Sequence, residues 1–381
     1  MNHVDIIVAG AGIWGCTVAR VLAEHGRKVL VLERREKVGG NCRCEIDPDT
    51  GIEVHMYGCH IFHTGVDEVW KFMNRFTEFN CYQHKCVAMH GNRPYFLPLG
   101  LALVNQFYGL NLSPSELAEF IKGEIGDGIQ NPEENFETKA ISLIGEKLYN
   151  AFIKGYTKKQ WGRDPQELSS DIIKRLPVRA SYNLNYYNDI HQGIPLKGYS
   201  EMFKNMLSHP NIVVETGIDF KEWIKSQSMD MKRIPVFYSG AVDELFDYKF
   251  GVLPWRSLRF EFDTLPIKDY QGNSVVNYPD EDVPYTRIHE FKHFHPEQKV
   301  VMEMPRTIIC QEYPDNWAVG KEAYYPIDNK ESREILELYQ NEARKTPNLT
   351  IGGRCGNYKY YDMDKTVKNA LDTVNFSIFN Q

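Results

Sequence analysis

The stretch Gly10-Ala11-Gly12-Ile13-Trp14-Gly15 follows a short apolar run, Asp5 to Ala9, and precedes a segment with helical spacing, Thr17 to His25. A second apolar run, Lys28 to Leu32, ends at Glu33. Strand, glycine turn, helix and strand in this order predict the β-α-β unit of a Rossmann-like fold. The glycines of such a turn allow backbone N–H groups to approach a pyrophosphate, and the acidic residue can accept ribose hydroxyls. We therefore predict a dinucleotide-binding domain.

Two further glycine pairs indicate which dinucleotide is bound. Gly39-Gly40-Asn41 comes soon after Glu33 and Arg34 and resembles the FAD-binding entry of amine-oxidase-like flavoproteins. Gly352-Gly353-Arg354 follows a predicted strand and precedes Asp362-Met363, which a plain helix cap would also explain. NAD dehydrogenases usually lack the first of these pairs, so we predict FAD. The cofactor-binding residues predicted here are Gly10, Gly12, Gly15, Glu33, Arg34, Gly39, Gly40, Asn41, Arg354, Asp362 and Met363.

Composition limits the possible functions. The chain has 381 residues, a net charge of -7 and 25% charged residues, which argues against general nucleic-acid binding. No apolar run is long enough for a transmembrane helix, and the first residues do not resemble a signal peptide. The eight cysteines include no C-x-x-C pair, which favours reduced thiols without a structural metal. We therefore predict a cytoplasmic protein that inserts into no membrane.

The rest of the chain alternates between helical and strand-like patterns. Ser113 to Glu116 is a capping box, and Phe136 to Ile153 keeps helical spacing. Residues 255–309 are strand-like, including Lys299 to Met302, and a helix is predicted from Asp364 to Phe379. The predicted fold class is α/β: a Rossmann-like FAD-binding domain with a helical insert and an antiparallel β-sheet domain. The predicted units are a discontinuous FAD-binding domain (1–80, 205–245 and 345–381), a helical domain with a mobile loop (98–178), and an antiparallel substrate domain (81–97, 179–204 and 246–344).

Several segments together resemble the bacterial UDP-galactopyranose mutase family, and the similarity runs along nearly the whole chain. The segments are 57–64 (YGCHIFHT), 154–162 (KGYTKKQWG), 174–179 (KRLPVR), 185–187 (NYY), 192–195 (QGIP), 283–287 (VPYTR), 324–326 (YYP) and 358–364 (YKYYDMD). The resemblance implies contraction of a UDP-hexose ring from pyranose to furanose. In this family the sugar bonds transiently to N5 of reduced FAD, without net oxidation.

The resemblance also assigns roles to individual residues. Arg175 and Arg256 match the arginines that bind the diphosphate, and Trp161 matches the tryptophan of the mobile loop. His60, Ile61 and His63 match the histidine-bearing loop beside the flavin. The implied catalytic residues are Arg175, Arg256, His63, Tyr325 and Tyr360, and the implied substrate-binding residues are Phe152, Tyr156, Trp161, Arg175, Tyr186, Arg256, Arg287, Tyr325 and Tyr360. The remaining implied partners are a UDP-sugar, a flavin reductant and a second copy of the chain in a homodimer.

The chain departs from the family pattern at a few positions. Cys59 stands where alanine or proline is usual, His84 where asparagine is usual, and Trp255 where tyrosine is usual; Gly100 departs as well. These departures leave open a mutase for another nucleotide sugar, such as UDP-N-acetylgalactosamine or dTDP-fucose. The FAD motifs taken alone would also fit an amine-oxidase-like FAD oxidoreductase or a flavin-binding sensor. The remaining histidines, including His289 and His295, are interpreted as structural or solvent-exposed.

Overall fold

A computed structural model of the chain describes residues 4–126, 131–175, 179–227 and 234–379. Two sheets and a helical unit surround one large cleft. No helix among these described residues is both long and apolar enough to cross a membrane.

The first sheet is entirely parallel and carries the N-terminal motif. Its five strands come from three separate parts of the chain, and helices cover both faces, as is usual for parallel sheets. The strands, in spatial order, are Leu349–Ile351, Val236–Tyr238, Ile6–Ala9, Val29–Glu33 and Ile212–Thr216. One hydrophobic core joins this sheet to the helices Ile13–Glu24, Gly198–Leu207 and Met363–Phe379. A second hydrophobic core joins the sheet to the helices Phe220–Ser226 and Val242–Leu245.

The second sheet has seven strands and is antiparallel except for one pair. Its order is Tyr325–Pro326, Trp255–Leu265, Thr307–Asn316, Arg287–Glu290, Val275–Asn277, Cys86–His90 and Arg93–Phe96. The strands Val275–Asn277 and Cys86–His90 run parallel to each other. Two small two-stranded sheets are formed by Cys44–Ile46 with Glu53–His55 and by Phe62–Thr64 with His191–Gly193.

Helices fill the region between the early strands of the second sheet and residue 175. These are Leu101–Tyr108, Pro114–Ile125, Phe136–Ile144, Glu146–Leu148, a π-helical turn at Tyr149–Lys154, and Gly155–Trp161. Short 3-10 turns follow at Pro165–Glu167 and Ser170–Arg175. Elsewhere lie the helices Asp67–Met73, Lys299–Glu303, Lys330–Lys345 and Gly353–Gly356, with 3-10 turns at Gly40–Cys42 and Phe291–Phe294.

Most predicted elements are present, and the fold class is the predicted one. The strand Leu349–Ile351 and the capping box at Ser113 are confirmed. Three expectations are wrong. Phe136 to Ile153 is not one helix, because Gly145 adopts a φ of 81° and ends the first segment at Ile144. Residues 299–302 belong to the short helix Lys299–Glu303 rather than to a strand, and residues 155–161 of the expected loop are helical. The division into three domains stays a prediction.

Candidate functional site

The cleft between the two sheets has a volume of about 1340 Å³. Ordinary ligand pockets measure roughly 300–1,000 Å³, so this one has room for a dinucleotide and a second ligand. Residues from the N-terminal glycine turn line one end, and residues from the antiparallel sheet and the helical unit line the other.

The glycine turn forms a compact cradle at the first end. The Ala11 N–H donates to a carboxylate oxygen of Glu33 at 2.7 Å, and the Gly39 N–H donates to the Ala11 carbonyl at 2.8 Å. A Cβ on Gly15 would lie 1.9 Å from the carbonyl oxygen of Gly10, so helix and turn can approach this closely only with glycine there. The backbone of Gly12 is left facing the cleft.

The two later glycine pairs pack against this cradle. A Cβ on Gly40 would lie 3.0 Å from the Cα of Gly12, so these two backbones nearly touch. A Cβ on Gly352 would lie 2.1 Å from the indole ring of Trp14. That indole donates from Nε1 to the Asn369 side chain at 2.9 Å. The second glycine turn therefore makes room for Trp14 beside the cleft.

Arg354 lines the cleft, and part of its guanidinium has no hydrogen-bond partner in the protein. Its Nε and one terminal nitrogen are buried and make no hydrogen bond within the protein. Its guanidinium lies 4.6 Å from the ring centroid of Tyr360 and 5.5 Å from that of Tyr325, and these rings stack on each other at 5.6 Å. Buried donors without partners favour a ligand with acceptor oxygens. The cradle, Glu33 and Arg354 thus fit an FAD-sized dinucleotide.

The histidine-bearing segment lies beside the cradle. His60 and His63 both line the cleft, and a ring nitrogen of His60 contacts the Gly58 carbonyl at 2.8 Å. Burial lowers the pKa of His60 to about 4, so this ring is neutral at neutral pH. His63 stacks on Tyr187 at 3.6 Å and contacts the Asp189 carboxylate at 2.6 Å. Both rings are therefore held in fixed orientations.

Arg287 joins three elements at the other end of the cleft. It donates to the Tyr156 hydroxyl, and its Nε lies 3.2 Å from a carboxylate oxygen of Glu312 on the neighbouring strand. Glu312 is 2% exposed, and its ionised form is stabilised by Arg287 and His289, which hold its pKa below the usual value despite burial. Burial raises the pKa of Tyr156 to about 12, so its hydroxyl stays protonated. A fixed cation and a phenol thus line this end of the cleft.

Arg256 lies behind the cleft rather than on its surface. It is 6% exposed, and its Nε donates to the Gln160 carbonyl at 2.9 Å, at the end of the Gly155–Trp161 helix. A second guanidinium nitrogen donates to the Asn316 side chain. A Cβ on Gly162 would lie 2.7 Å from this guanidinium, and Gly162 has a φ of 63°. Glycine at position 162 therefore ends the helix and leaves space for the guanidinium of Arg256.

Lys159 fixes the same helix from its other side. Its ammonium lies 2.7–3.1 Å from four backbone carbonyl oxygens, those of Tyr278, Asp280, Val283 and Tyr285. These carbonyls belong to the turn that precedes Arg287. The neighbouring Lys158 instead makes a solvent-exposed ion pair with Glu281 at 3.0 Å. The helix that carries Tyr156 is thus attached to the sheet that carries Arg287.

The structure brings most of the predicted residues to one cleft. Its surface includes Gly10, Gly12, Glu33, Arg34, Gly39, Gly40, Asn41, His60, Ile61, His63, Phe152, Tyr156, Tyr186, Arg287, Tyr325, Arg354, Tyr360, Asp362 and Met363. Gly15, Trp161 and Arg256 lie outside this surface, although the Trp161 ring is 6.4 Å from that of Tyr325. The side chain of Arg175 lies outside the described residues.

Three residues with defined contacts at this site were not predicted from the sequence. Lys159 looks like any surface lysine in the sequence, since nothing nearby indicates the carbonyls that surround it. Glu312 and His289 lie on adjacent strands of the second sheet. Alternate residues of a strand point to the same face, so this spacing could have indicated that the two side chains share one face of the sheet. His289 is fully buried and bonded to Glu312 at 3.0 Å.

The four departures from the family pattern have different environments. Cys59 and His84 line the cleft. Trp255 is 3% exposed and packs edge-on against Tyr358 at 4.8 Å, away from that surface. A Cβ on Gly100 would lie 2.6 Å from a backbone carbonyl oxygen, so this glycine permits a close crossing of two chain segments. Cys59 and His84 are therefore the departures that could contact a ligand.

Within the described residues, two groups of side chains have the composition of cation sites. One comprises Cys44, Glu53 and His55, and the other comprises Asp269, Glu290 and His293. In the first, Glu53 already accepts from His295 at 2.7 Å and from a backbone N–H at 2.9 Å. The absence of a structural metal stays a prediction.

Comparisons with known proteins agree with this arrangement. A protein-family model described as UDP-galactopyranose mutase matches residues 151–360, and one described as an NAD(P)-binding Rossmann-like domain matches residues 8–76. A dTDP-fucopyranose mutase from Escherichia coli is 40% identical over 100% of this chain and 99% of its own length. A probable UDP-galactopyranose mutase from Klebsiella pneumoniae is 40% identical over 98% of this chain and 94% of its own. A crystal structure of reduced UDP-galactopyranose mutase matches the fold with a TM-score of 0.75 at 15% identity, covering 100% of this chain and 96% of that one.

Proposed function

This chain belongs to the UDP-galactopyranose mutase family, a family of isomerases, and we propose that it interconverts UDP-galactopyranose and UDP-galactofuranose with reduced FAD. One observation carries the proposal: a single cleft holds a dinucleotide cradle at one end and a cluster of guanidinium and phenol groups at the other. An oxidoreductase of amines would need the cradle but no cationic site for a diphosphate.

The cradle end would hold the cofactor. Glu33 would accept the ribose hydroxyls, and the backbone at Gly12 and Gly40 would approach the pyrophosphate. Reduced FAD, when bound, would supply the nucleophile for the anomeric carbon. The neutral His60 places no positive charge there, and since its Nδ1 donates to the Gly58 carbonyl, its Nε2 would accept a hydrogen bond.

The other end would hold the nucleotide sugar. Arg287 would bind oxygens of the diphosphate, with Tyr325 and Tyr360 lining the same cleft. Negative charge on UDP grows as the bond to the sugar breaks, so fixed cations stabilise the transition state more than the ground state. Phe152 and Tyr156 would enclose the base. Arg175 and Arg256 remain predicted diphosphate ligands, and Arg256 would reach the ligand only after a rearrangement at Gln160.

A direct test compares oxidised and reduced protein loaded with FAD. We expect turnover of UDP-galactopyranose only after anaerobic reduction with dithionite, measured as furanose product by liquid chromatography. Because no net oxidation occurs, one reduction should support many turnovers. Equal activity in the fully oxidised protein would contradict the proposal. Peroxide formation with an amine substrate would instead support an amine oxidase.

A second candidate substrate is dTDP-fucopyranose. It is favoured by the Escherichia coli relative, whose similarity covers the entire chain at the same identity as the Klebsiella relative. The two nucleotides differ in the base methyl group and the ribose 2′-hydroxyl, and the two sugars differ at C6. Competition between both substrates in the reduced protein, with UDP-N-acetylgalactosamine included, would rank them by kcat/KM. A homodimer, a cytoplasmic location and a role in cell-surface polysaccharide synthesis belong to the same proposal.

A further inference from the structure

A segment between two strands of the second sheet forms part of the cleft wall. It joins the strand Thr307–Asn316 to the strand Tyr325–Pro326, and we call residues 317–323 the connecting segment. All but one of its residues line the cleft. The Trp317 indole donates to the Lys321 carbonyl at 2.8 Å, so the segment folds back on itself. The antiparallel sheet therefore contributes a compact piece of wall to the cleft.

Glu322 ties the connecting segment to the N-terminal β-α-β unit. One carboxylate oxygen of Glu322 lies 2.5 Å from Nη2 of Arg35 and 3.7 Å from Nη2 of Arg34. Both arginines directly follow Glu33, the last residue of a strand in the parallel sheet. The backbone carbonyl of Glu322 accepts from the Ser257 hydroxyl at 2.8 Å, on a strand of the antiparallel sheet. Glu322 thus joins the two sheets at the cradle end of the cleft.

The Arg35 side chain is held beside the cradle by three groups. Its Nη2 donates to the Asn41 side chain at 2.8 Å as well as to Glu322, and its guanidinium lies 4.4 Å from the ring centroid of Tyr57. Asn41 directly follows Gly40 of the cradle. The guanidinium is therefore fixed next to the backbone that would approach a pyrophosphate.

One nitrogen of this guanidinium is left without a partner. Nη1 of Arg35 is buried and makes no hydrogen bond within the protein, and the residue lines the cleft. A buried donor without a partner favours a ligand with acceptor oxygens, and a guanidinium pairs well with phosphate. The diphosphate of a dinucleotide in the cradle would supply such oxygens.

We propose that Glu322 is a positioning residue for the cofactor. By pairing with Nη2 of Arg35, it would keep Nη1 available for the diphosphate of FAD and hold the connecting segment against the cradle. Both effects stabilise the bound state, so the main consequence is slower release of FAD. The inference rests on the FAD site of the proposed function and is independent of the sugar substrate.

The test measures release of FAD from Glu322→Gln, which removes the charge and keeps the shape of the side chain. FAD-loaded protein is mixed with an excess of an unrelated FAD-binding apoprotein, and the flavin left on it is measured after gel filtration at timed intervals. We expect release to be about tenfold faster than in wild type, the effect of losing one charge-assisted hydrogen bond. Loss of a negative charge near a diphosphate would by itself slow release, so the direction separates positioning from plain electrostatics.

The matched control is Asp315→Asn. This carboxylate is 36% exposed, as is that of Glu322, and it pairs with Lys321 at 2.7 Å at the start of the same connection. The substitution changes the net charge equally but breaks no contact with the parallel sheet. Its FAD release should match wild type, and the melting curves of both variants without FAD should match as well.

A second pair of variants tests whether Glu322 acts through Arg35. Arg35→Gln should also speed release, and adding Glu322→Gln to it should speed release no further, because the carboxylate then has no guanidinium to position. Release from Glu322→Gln that is no faster than from wild type or from Asp315→Asn, or further acceleration in the double variant, would overturn the inference. Wild-type protein that takes up no FAD would overturn the proposed function as well, so the two failures can be told apart.

Discussion

The two ends of the cleft are built in different ways. At the cradle, two of the hydrogen bonds join a backbone N–H to a group within the first forty residues: Ala11 N–H to the Glu33 carboxylate and Gly39 N–H to the Ala11 carbonyl. At the other end, side chains join segments about a hundred residues apart, such as Arg287 with Tyr156 and Arg256 with Gln160. Local backbone geometry therefore shapes the cradle, the proposed cofactor site, whereas long-range hydrogen bonds of arginine side chains shape the proposed substrate site. The two ends should respond differently to substitution.

The largest expected effect tests the cradle. Gly12→Val should abolish FAD binding, because a side chain would occupy the space into which a pyrophosphate must come. The protein itself should still fold: Gly12 has an ordinary φ of -75°, and the nearest atom to an added Cβ is the Cα of Gly40 at 3.9 Å. The measurement is the flavin-to-protein absorbance ratio of the purified variant, together with its melting curve.

The control for this variant is Gly123→Ala on the Pro114–Ile125 helix. Apart from the backbone of its own helix and its chain neighbours, no atom lies within 4 Å of an added Cβ there, so the flavin ratio should match wild type. A folded Gly12→Val protein with a normal flavin ratio would show that the cradle does not bind the pyrophosphate.

The same contrast explains what the sequence could predict. The turn from Gly10 to Gly15 has a local steric requirement, so its strands, its helix and Glu33 could be placed from sequence alone. The predicted helix from Phe136 was too long because apolar spacing continues past Gly145, where the backbone turns. Nothing local identifies Lys159 as an ammonium bound by backbone carbonyls, because its four partners lie more than a hundred residues away. Long-range pairing became visible only in the folded chain.

The second largest expected effect is a loss of turnover when Arg256, at the other end of the cleft, is replaced. Arg256→Ala should lower turnover of the reduced protein by a factor on the order of 10², with an unchanged flavin ratio. It removes a predicted diphosphate ligand and also frees the carbonyl of Gln160. Arg259→Ala, on the same strand but with a half-exposed side chain paired to Glu261, is the matched control. Turnover should be measured at saturating nucleotide sugar. Equal turnover in the two variants would show that Arg256 does not bind the diphosphate.

The smallest effect tests how the substrate end is held together. Lys159→Met keeps the length of the side chain but leaves four partly buried carbonyl oxygens without their ammonium. Leaving fully buried acceptors unpaired destabilises a protein by about 1–3 kcal/mol, so for these partly buried oxygens the free energy of unfolding should fall by about 1 kcal/mol, the low end of that range. Hydrogen exchange should rise in residues 155–161 and 278–285 but not in the parallel sheet, because only the attachment of the helix is lost.

The control is Lys158→Met, which breaks an exposed ion pair on the same helix. It should change the free energy of unfolding and the rate of hydrogen exchange much less than Lys159→Met does. If both variants exchange and unfold alike, Lys159 does not attach the helix, and Tyr156 must be held against Arg287 by their own hydrogen bond and by packing.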